Sequence, residues 1–270
     1  RLSGHQVLVN HNNWFADISL DYSGAVIKLS DNAAFGANIT MVSMEEIEVT
    51  RYGNENTGET YRAGDLALGM SYAKNLTDKF SIGGNLKLIR EYIASNYASG
   101  FAMDIGTLFD TPFGFRLGTS ISNFGPKMRM SGDDLIVPVD ISETIEGNNE
   151  NTTGNISTDS FDLPLLLRVG ISGQKSISNI GGIIWAIDSG HPNDNNSFLN
   201  AGIEFSLINN LLSLRTGYRS LYLNDRVSEH TFGVGLNLTT IINKPIKIDY
   251  SLESLKFLGM TQQLSIILML

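Results

Sequence analysis

The sequence predicts an all-β chain: a transmembrane, antiparallel, up-and-down β-barrel of about fourteen strands. Three observations predict it. Apolar residues recur at every second position through most of the chain, which gives a strand one oily face and one polar face. No segment keeps a helical period over three turns, and turn residues separate the strands throughout, as in all-β chains. The connections alternate between short and long, as in outer-membrane barrels, where tight periplasmic turns oppose longer extracellular loops and the strand number is even.

The strands are expected over 5–12, 16–29, 33–49, 63–75, 79–92, 100–111, 113–126, 161–174, 180–189, 198–208, 211–223, 230–242, 245–256 and 261–269. The stretch "DKFSIGGNLKLIRE" (78–91) sets the pattern. Phe80, Ile82, Leu86 and Leu88 share one face; Ser81, Asn85, Lys87 and Glu91 share the other. Short turns are expected at 30–32, 77–79, 111–114, 174–179, 208–210 and 243–245, and longer segments at 50–62, 93–99, 127–160, 190–197, 224–229 and 257–260. Only the first connection, near "HNNW" (11–14), is short where a longer one is expected. With fourteen strands, both termini fall on the short-turn side.

Apolar rows of one parity include Ile18, Leu20 and Tyr22, then Leu66, Leu68 and Met70, and later Leu212 and Leu214 and Ile246, Ile248 and Tyr250. Lys28, Glu45, Lys74 and Arg90 fall on that parity close to strand ends. The opposite parity carries Asp17, Asp21, Asp65, Lys87, Glu91, Asp104, Arg116, Arg168, Asp188, Glu204, Arg215, Arg219, Lys247, Asp249 and Glu253. A soluble sandwich would bury the first set, whereas a membrane barrel would turn it to lipid and line its interior with the second. Strand length favours the barrel: these strands run mostly beyond the ~5–6 residues usual in soluble folds. Aromatics near strand ends, such as Trp14, Tyr72, Phe113 and Phe257, fit interfacial girdles. The fifteen charges are therefore expected to line a lumen.

Composition agrees. The 270 residues are 42% hydrophobic and 17% charged, below the ~25% charge usual in soluble domains. A net charge of −9 argues against a nucleic-acid partner. With no cysteine, no disulfide framework or thiolate metal site can form. No run approaches the ~18 apolar residues a spanning helix needs, but a closed barrel crosses a bilayer without one.

Residues 71–128 carry "SYAKNLTDKFSIGGNLKLI", "SGFAMDIGTL" and "RLGTSISNFGPKM", and 11–26 carry "HNNWFADISLDYSGAV". These stretches resemble the PorV/PorQ family of outer-membrane proteins over about residues 5–135. The resemblance implies a FadL-like barrel in a bacterial outer membrane, occupied by a single domain over 1–270. It also implies a place in type IX secretion, as an accessory or scaffold that binds secreted or cell-surface proteins. FadL-type relatives move hydrophobic solutes, which gives the alternative: a channel for small hydrophobic molecules. Two features depart from the family. No plug segment with an "NPAG"-type motif precedes the first strand, so a signal and plug are expected upstream of Arg1. The C-terminus "QLSIILML" lacks a terminal Phe.

No catalytic constellation is present. His5, His11, His191 and His230 have no HExxH spacing, and "GTSISNFG" (118–125) and "GVGLNL" (233–238) read as strands rather than nucleophile or nucleotide loops. Neither cofactor nor metal is expected. The long loop 129–160 gathers acids around the apolar "LIVPV" (135–139). Loops this long are often functional, so Asp133, Asp134, Leu135, Ile136, Val137, Asp140, Glu143 and Glu146 are the candidate partner-binding surface. Outer-membrane lipids and lipopolysaccharide are the other expected partners.

Overall fold

The structure, a computed structural model, describes residues 4–139, 152–177, 181–223, 226–239 and 245–270. Fourteen antiparallel strands close into one barrel. The first seven are β1 (Gln6–Asn13), β2 (Ser19–Lys28), β3 (Ala33–Ser43), β4 (Ala63–Asn75), β5 (Phe80–Ile93), β6 (Asn96–Asp110) and β7 (Phe115–Phe124). The rest are β8 (Leu166–Ile177), β9 (Gly181–Pro192), β10 (Phe198–Leu207), β11 (Leu212–Tyr218), β12 (Ser228–Asn237), β13 (Ile246–Leu255) and β14 (Gly259–Met269). Each strand pairs with its sequence neighbours, and β1 pairs with β14, placing Val9 opposite Ile266. Closure leaves no unpaired edge and satisfies the ladder N–H and C=O groups within the sheet.

Among the described residues, the buried apolar ones are Ala98, Ala102, Met128, Leu163 and Leu255. A sandwich of this size would bury its oily rows. Here Leu88 is 66% exposed, Leu86 62% and Phe101 59%. Leaving such rows in water forfeits about 25 cal/mol for every Å² of apolar surface, so this face belongs against lipid. Register carries the face from strand to strand: Leu88 opposes Leu68 on β4 and Phe101 on β6, and Val234 opposes Leu214 and Tyr250.

β2 departs from the expectation. Asp21 opposes His11 on β1 and Met41 on β3, and Ser23 opposes Val9 and Ile39. Asp21 therefore lies on the outer face, and Leu20 and Tyr22 point inward. Asp17 is not on a strand at all; it sits in the turn between β1 and β2 with a left-handed φ of 56°. The short row Ile18–Leu20–Tyr22 lies at a strand end, where the outer face meets water and headgroups and its polarity stops reporting direction. Hydrogen-bonded register with the apolar rows of β1 and β3 decides the side instead. Lys28 turns inward with the even set and reaches Asp31 at 2.8 Å, holding that exposed carboxyl below its ordinary value. Lys74 and Arg90 do lie on the outer face near strand ends, with the Arg90 guanidinium 4.7 Å from the Tyr97 ring centroid.

The long-loop end also differs in detail. The expected segment 93–99 is a two-residue turn, because β5 and β6 pair out to Ile93 and Asn96 while Ala94 takes a left-handed φ of 52°. β3 stops at Ser43, and Ile47–Glu48 pairs instead with Thr60–Tyr61 inside the loop. The connection between β7 and β8 forms an arm. Met128–Arg129 pairs with Ser160–Phe161, Ser131–Gly132 with the start of β6, and Ile136–Pro138 with Thr153–Asn155. Met128 and Leu163 pack onto Ala98 and Ala102 on the inner wall, flanked by Ile89, Met130 and Phe161. The arm thus covers one side of the mouth.

Candidate functional site: a charged lumen beneath an apolar mouth

Thirteen expected lumen charges fall on the inward parity: all but Asp17 and Asp21. They are brought together in groups. On the wall made by β3–β7, Lys87 Nζ lies 2.7 Å from Asp104 Oδ1. Asp104 also accepts from Asn85 Nδ2 at 3.1 Å and from the Asn123 backbone N–H at 2.8 Å. Asn123 has a left-handed φ of 62° where the pairing of β6 with β7 shifts register, so the Asp104 carboxylate accepts from a backbone group at this irregularity. Gly69 leaves room for Asn38, whose amide would lie 2.5 Å from an added Cβ, and Asn38 extends the chain to Ser71 and Asn85.

On the opposite wall, Arg215 Nε donates to Glu204 Oε2 at 2.6 Å and its Nη1 pairs with Asp249. Asp249 stands two strands away. The guanidinium crosses β12 where Gly233 and Gly235 supply no side chain; a Cβ at Gly235 would lie 3.1 Å from Nη1. Arg219 Nη1 reaches Glu253 Oε1 at 2.6 Å, and Arg116 Nε reaches Asp110 Oδ1 at 2.6 Å. Arg168 and Asp188 are more loosely placed at 3.7 Å. Among the described residues, Asp65 and Glu91 face each other across β4 and β5 with no ion-pair partner, and Lys247, near the short-turn end, has none either. Desolvated charges need partners, and the lumen largely supplies them.

At the long-loop end a cavity of ≈ 980 Å³ opens inside the rim. Trp14, Phe15, Phe198, Leu223 and Leu255 give it apolar patches, and Asp194, Asn195, Asn196, Arg219, Arg226 and Glu253 line it with polar and charged groups. Trp14 and Phe15 meet at 4.8 Å between ring centroids in the tight turn after β1. Local spacing assigns these aromatics only a girdle role; their convergence needs the barrel to close and so has no signature in that spacing.

The candidate partner loop is partly structural. Asp134 Oδ2 accepts from the Ser95 backbone N–H at 3.1 Å and from Asn96 Nδ2 at 3.0 Å, tying the arm to the β5–β6 turn. Asp133 is exposed, the Leu135 carbonyl accepts from the Ile156 N–H at 2.8 Å, Ile136 is exposed, and Val137 lies in the arm's short ladder. Asp140, Glu143 and Glu146 lie outside the described residues. Among those described, no group of three or more His, Cys, Asp or Glu is placed to hold a metal ion.

No family model and no curated protein matches the sequence. Solved structures do match in shape. The toluene transporter TodX of Pseudomonas putida aligns with 99% of this chain and 89% of its own, at 12% identity and a TM-score of 0.57. The monoaromatic hydrocarbon channel CymD aligns with 100% and 89%, at 12% identity and a TM-score of 0.61. A FadL homologue of Pseudomonas aeruginosa aligns with 97% and 89%, at 11% identity and a TM-score of 0.54. The chain therefore has the fold of the FadL-like barrels of bacterial outer membranes, and its oily outer surface suits that membrane. None of these neighbours is a PorV/PorQ protein, and the expected tie to type IX secretion gains no support from them.

Proposed function

We propose that the chain is an outer-membrane channel that admits small hydrophobic molecules from the long-loop side. The observation that carries this reading is the mouth cavity. Its ≈ 980 Å³ and its apolar patches suit a small organic ligand, with polar groups such as Asn195 and Asn196 beside them to fix its orientation. The fold shared with TodX and CymD, described as a toluene transporter and a monoaromatic hydrocarbon channel, supports the same reading. Outer-membrane lipid and lipopolysaccharide are its surroundings.

The test uses Trp14 as reporter. In a Trp185→Phe background, titrating the detergent-solubilised barrel with toluene is expected to change Trp14 fluorescence saturably. A linear response, equal to that of free tryptophan, would count against the mouth as a binding site. A second reading, docking of secreted or surface proteins, is favoured by one observation: Ile136 and Val139 stand exposed on the arm. Copurification from detergent of a stable partner that is lost with Ile136→Asp would support it.

A further inference from the structure

Two cations fall on one row of the outward face at the long-loop end. On β5 the outward positions Gly84, Leu86 and Leu88 carry no charge, and Arg90 ends that row. Arg90 stands opposite Ser99 on β6. On the other side of β6 the arm takes the place of β7: Ser131 opposes Tyr97, and Gly132 opposes Asn96. The same register brings Met128 to Gly100, and Met128 Sδ does lie 2.7 Å from where a Gly100 Cβ would stand. Met128 packs inward on Ala98 and Ala102, so Arg129, the next residue, faces outward beside Ser99. Arg90, Ser99 and Arg129 thus form one row across three strands, and all three are exposed.

We propose that this row is a seat for the phosphate of an outer-leaflet glycolipid, the phosphorylated sugar headgroup of lipopolysaccharide. Neighbouring strands lie ~4.8 Å apart, which puts the Arg90 and Arg129 Cα atoms about 10 Å from each other. From that spacing two guanidinium groups close on one phosphate above Ser99. Guanidinium forks grip phosphate oxygens in pairs, and the Ser99 hydroxyl adds a donor between them. The Arg90 guanidinium lies over the Tyr97 ring, 4.7 Å from its centroid. Stacking of this kind engages the face of the guanidinium and leaves its edge N–H groups for an acceptor. On the membrane side of the row, Leu88 opposes Phe101, an apolar wall for acyl chains.

The charge of the row is uncompensated. Among the described residues, neither Arg90 nor Arg129 pairs with a carboxylate. Acids on the adjoining segments are engaged: Glu46 with Arg62 at 2.5 Å, Asp162 with Lys127 at 2.9 Å, and Asp134 with the Ser95 and Asn96 amides. Asp133 lies past Gly132, on the side of Tyr97 away from Ser99. Snorkelling accounts for a single arginine at a strand end. It gives no reason for two like charges, which repel at this spacing beside a low-dielectric medium, to flank one hydroxyl. An anion between them does. The long-loop end is the extracellular one in outer-membrane barrels, so the anion belongs to the outer leaflet.

The test is native mass spectrometry of the purified chain in a non-ionic detergent, titrated with bisphosphorylated lipid A. One molecule is expected to stay bound, with affinity falling about tenfold on Arg90→Gln and again on adding Arg129→Gln. Lipid A stripped of its phosphates should bind as weakly as the intact lipid binds the double variant, and inorganic phosphate should not displace the lipid. Lys74→Gln removes a cation from the short-turn end of the same outer face and should change nothing. Far-UV circular dichroism checks that each variant keeps its strands. Retention by the double variant, equal binding of the stripped lipid, displacement by inorganic phosphate, or an equal loss from Lys74→Gln would each overturn the seat. The Trp14 response to toluene reads the mouth separately. Its survival beside absent lipid A binding confines the failure to this site, and its absence beside intact lipid A binding confines the failure to the channel.

Discussion

His11 Nδ1 lies 2.7 Å from Asp21 Oδ1 on the outer face of the barrel, one strand apart at the long-loop end. The other ring nitrogen lies 2.9 Å from Asn13 Oδ1. Both side chains remain well exposed. Exposed ion pairs are worth about 0–1 kcal/mol. Asp21→Leu is therefore expected to change unfolding free energy, measured by urea titration in lipid vesicles, by no more than about 1 kcal/mol. Leu88→Arg, deep in the oily band of β5, should cost about 2–4 kcal/mol in the same assay. A large loss from Asp21→Leu would return that residue to the lumen.

The Arg215–Asp249 contact depends on a missing side chain. Gly235→Val is expected to push the guanidinium off Asp249 and leave a carboxylate unpaired, at about 1–3 kcal/mol. Fully breaking a buried pair can cost about 3–5 kcal/mol; the lower figure applies here because the Arg215 side chain is 38% exposed. Gly84→Ala is the control: a Cβ there would approach only the Asp104 carbonyl, at 3.5 Å. Equal stability of the two variants would contradict this geometry.

Met128 is 1% exposed beneath the arm. Removing a buried Met side chain costs about 2–5 kcal/mol. Met128→Ala should loosen the arm from Ala98 and Ala102 without opening the barrel. Limited proteolysis would then cut faster within 125–165 while the rest of the chain stays protected. Cutting at an unchanged rate would mean that the arm is held elsewhere.

Phe198 lines the mouth cavity. Phe198→Asn should weaken saturable toluene binding about tenfold, equivalent to about 1.4 kcal/mol of lost apolar contact. Affinity unchanged by this substitution would move the binding site away from the mouth.

The strands were largely legible in the sequence because period-two alternation runs long enough for chance to fail. On β5 the row Phe80, Ile82, Leu86, Leu88 faces outward as expected, and its charged partners Lys87 and Glu91 face inward. β2 departs from its alternation because Leu20 and Tyr22 are apolar residues that point into the lumen near its mouth, and so short a row cannot outvote the register set by β1 and β3. The turn at Ala94–Ser95 was hidden by Tyr97 and Ala98, which carry no clear alternation. The mouth and the arm's core were not legible, since Trp14 and Phe198 come to line one cavity, and Met128 packs with Ala102, only once the barrel closes. The ion pairs within the lumen could be anticipated between adjacent strands, as for Lys87 and Asp104. The reach of Arg215 over β12 could not, because it depends on what Gly235 lacks.

The orientation of the faces can be measured directly, because a chain without cysteine accepts single spin labels cleanly. Labels placed one at a time at Asn85, Leu86, Lys87 and Leu88 in lipid vesicles should alternate. Leu86 and Leu88 should collide chiefly with oxygen dissolved in the bilayer, and Asn85 and Lys87 with a water-soluble nickel chelate. Labels at Tyr22 and Ser23 should show the inverted order found for β2, with Ser23 toward lipid. Uniform accessibility, or oxygen contact highest at Asn85 and Lys87, would contradict a barrel whose oily rows face the membrane and whose charges face its axis.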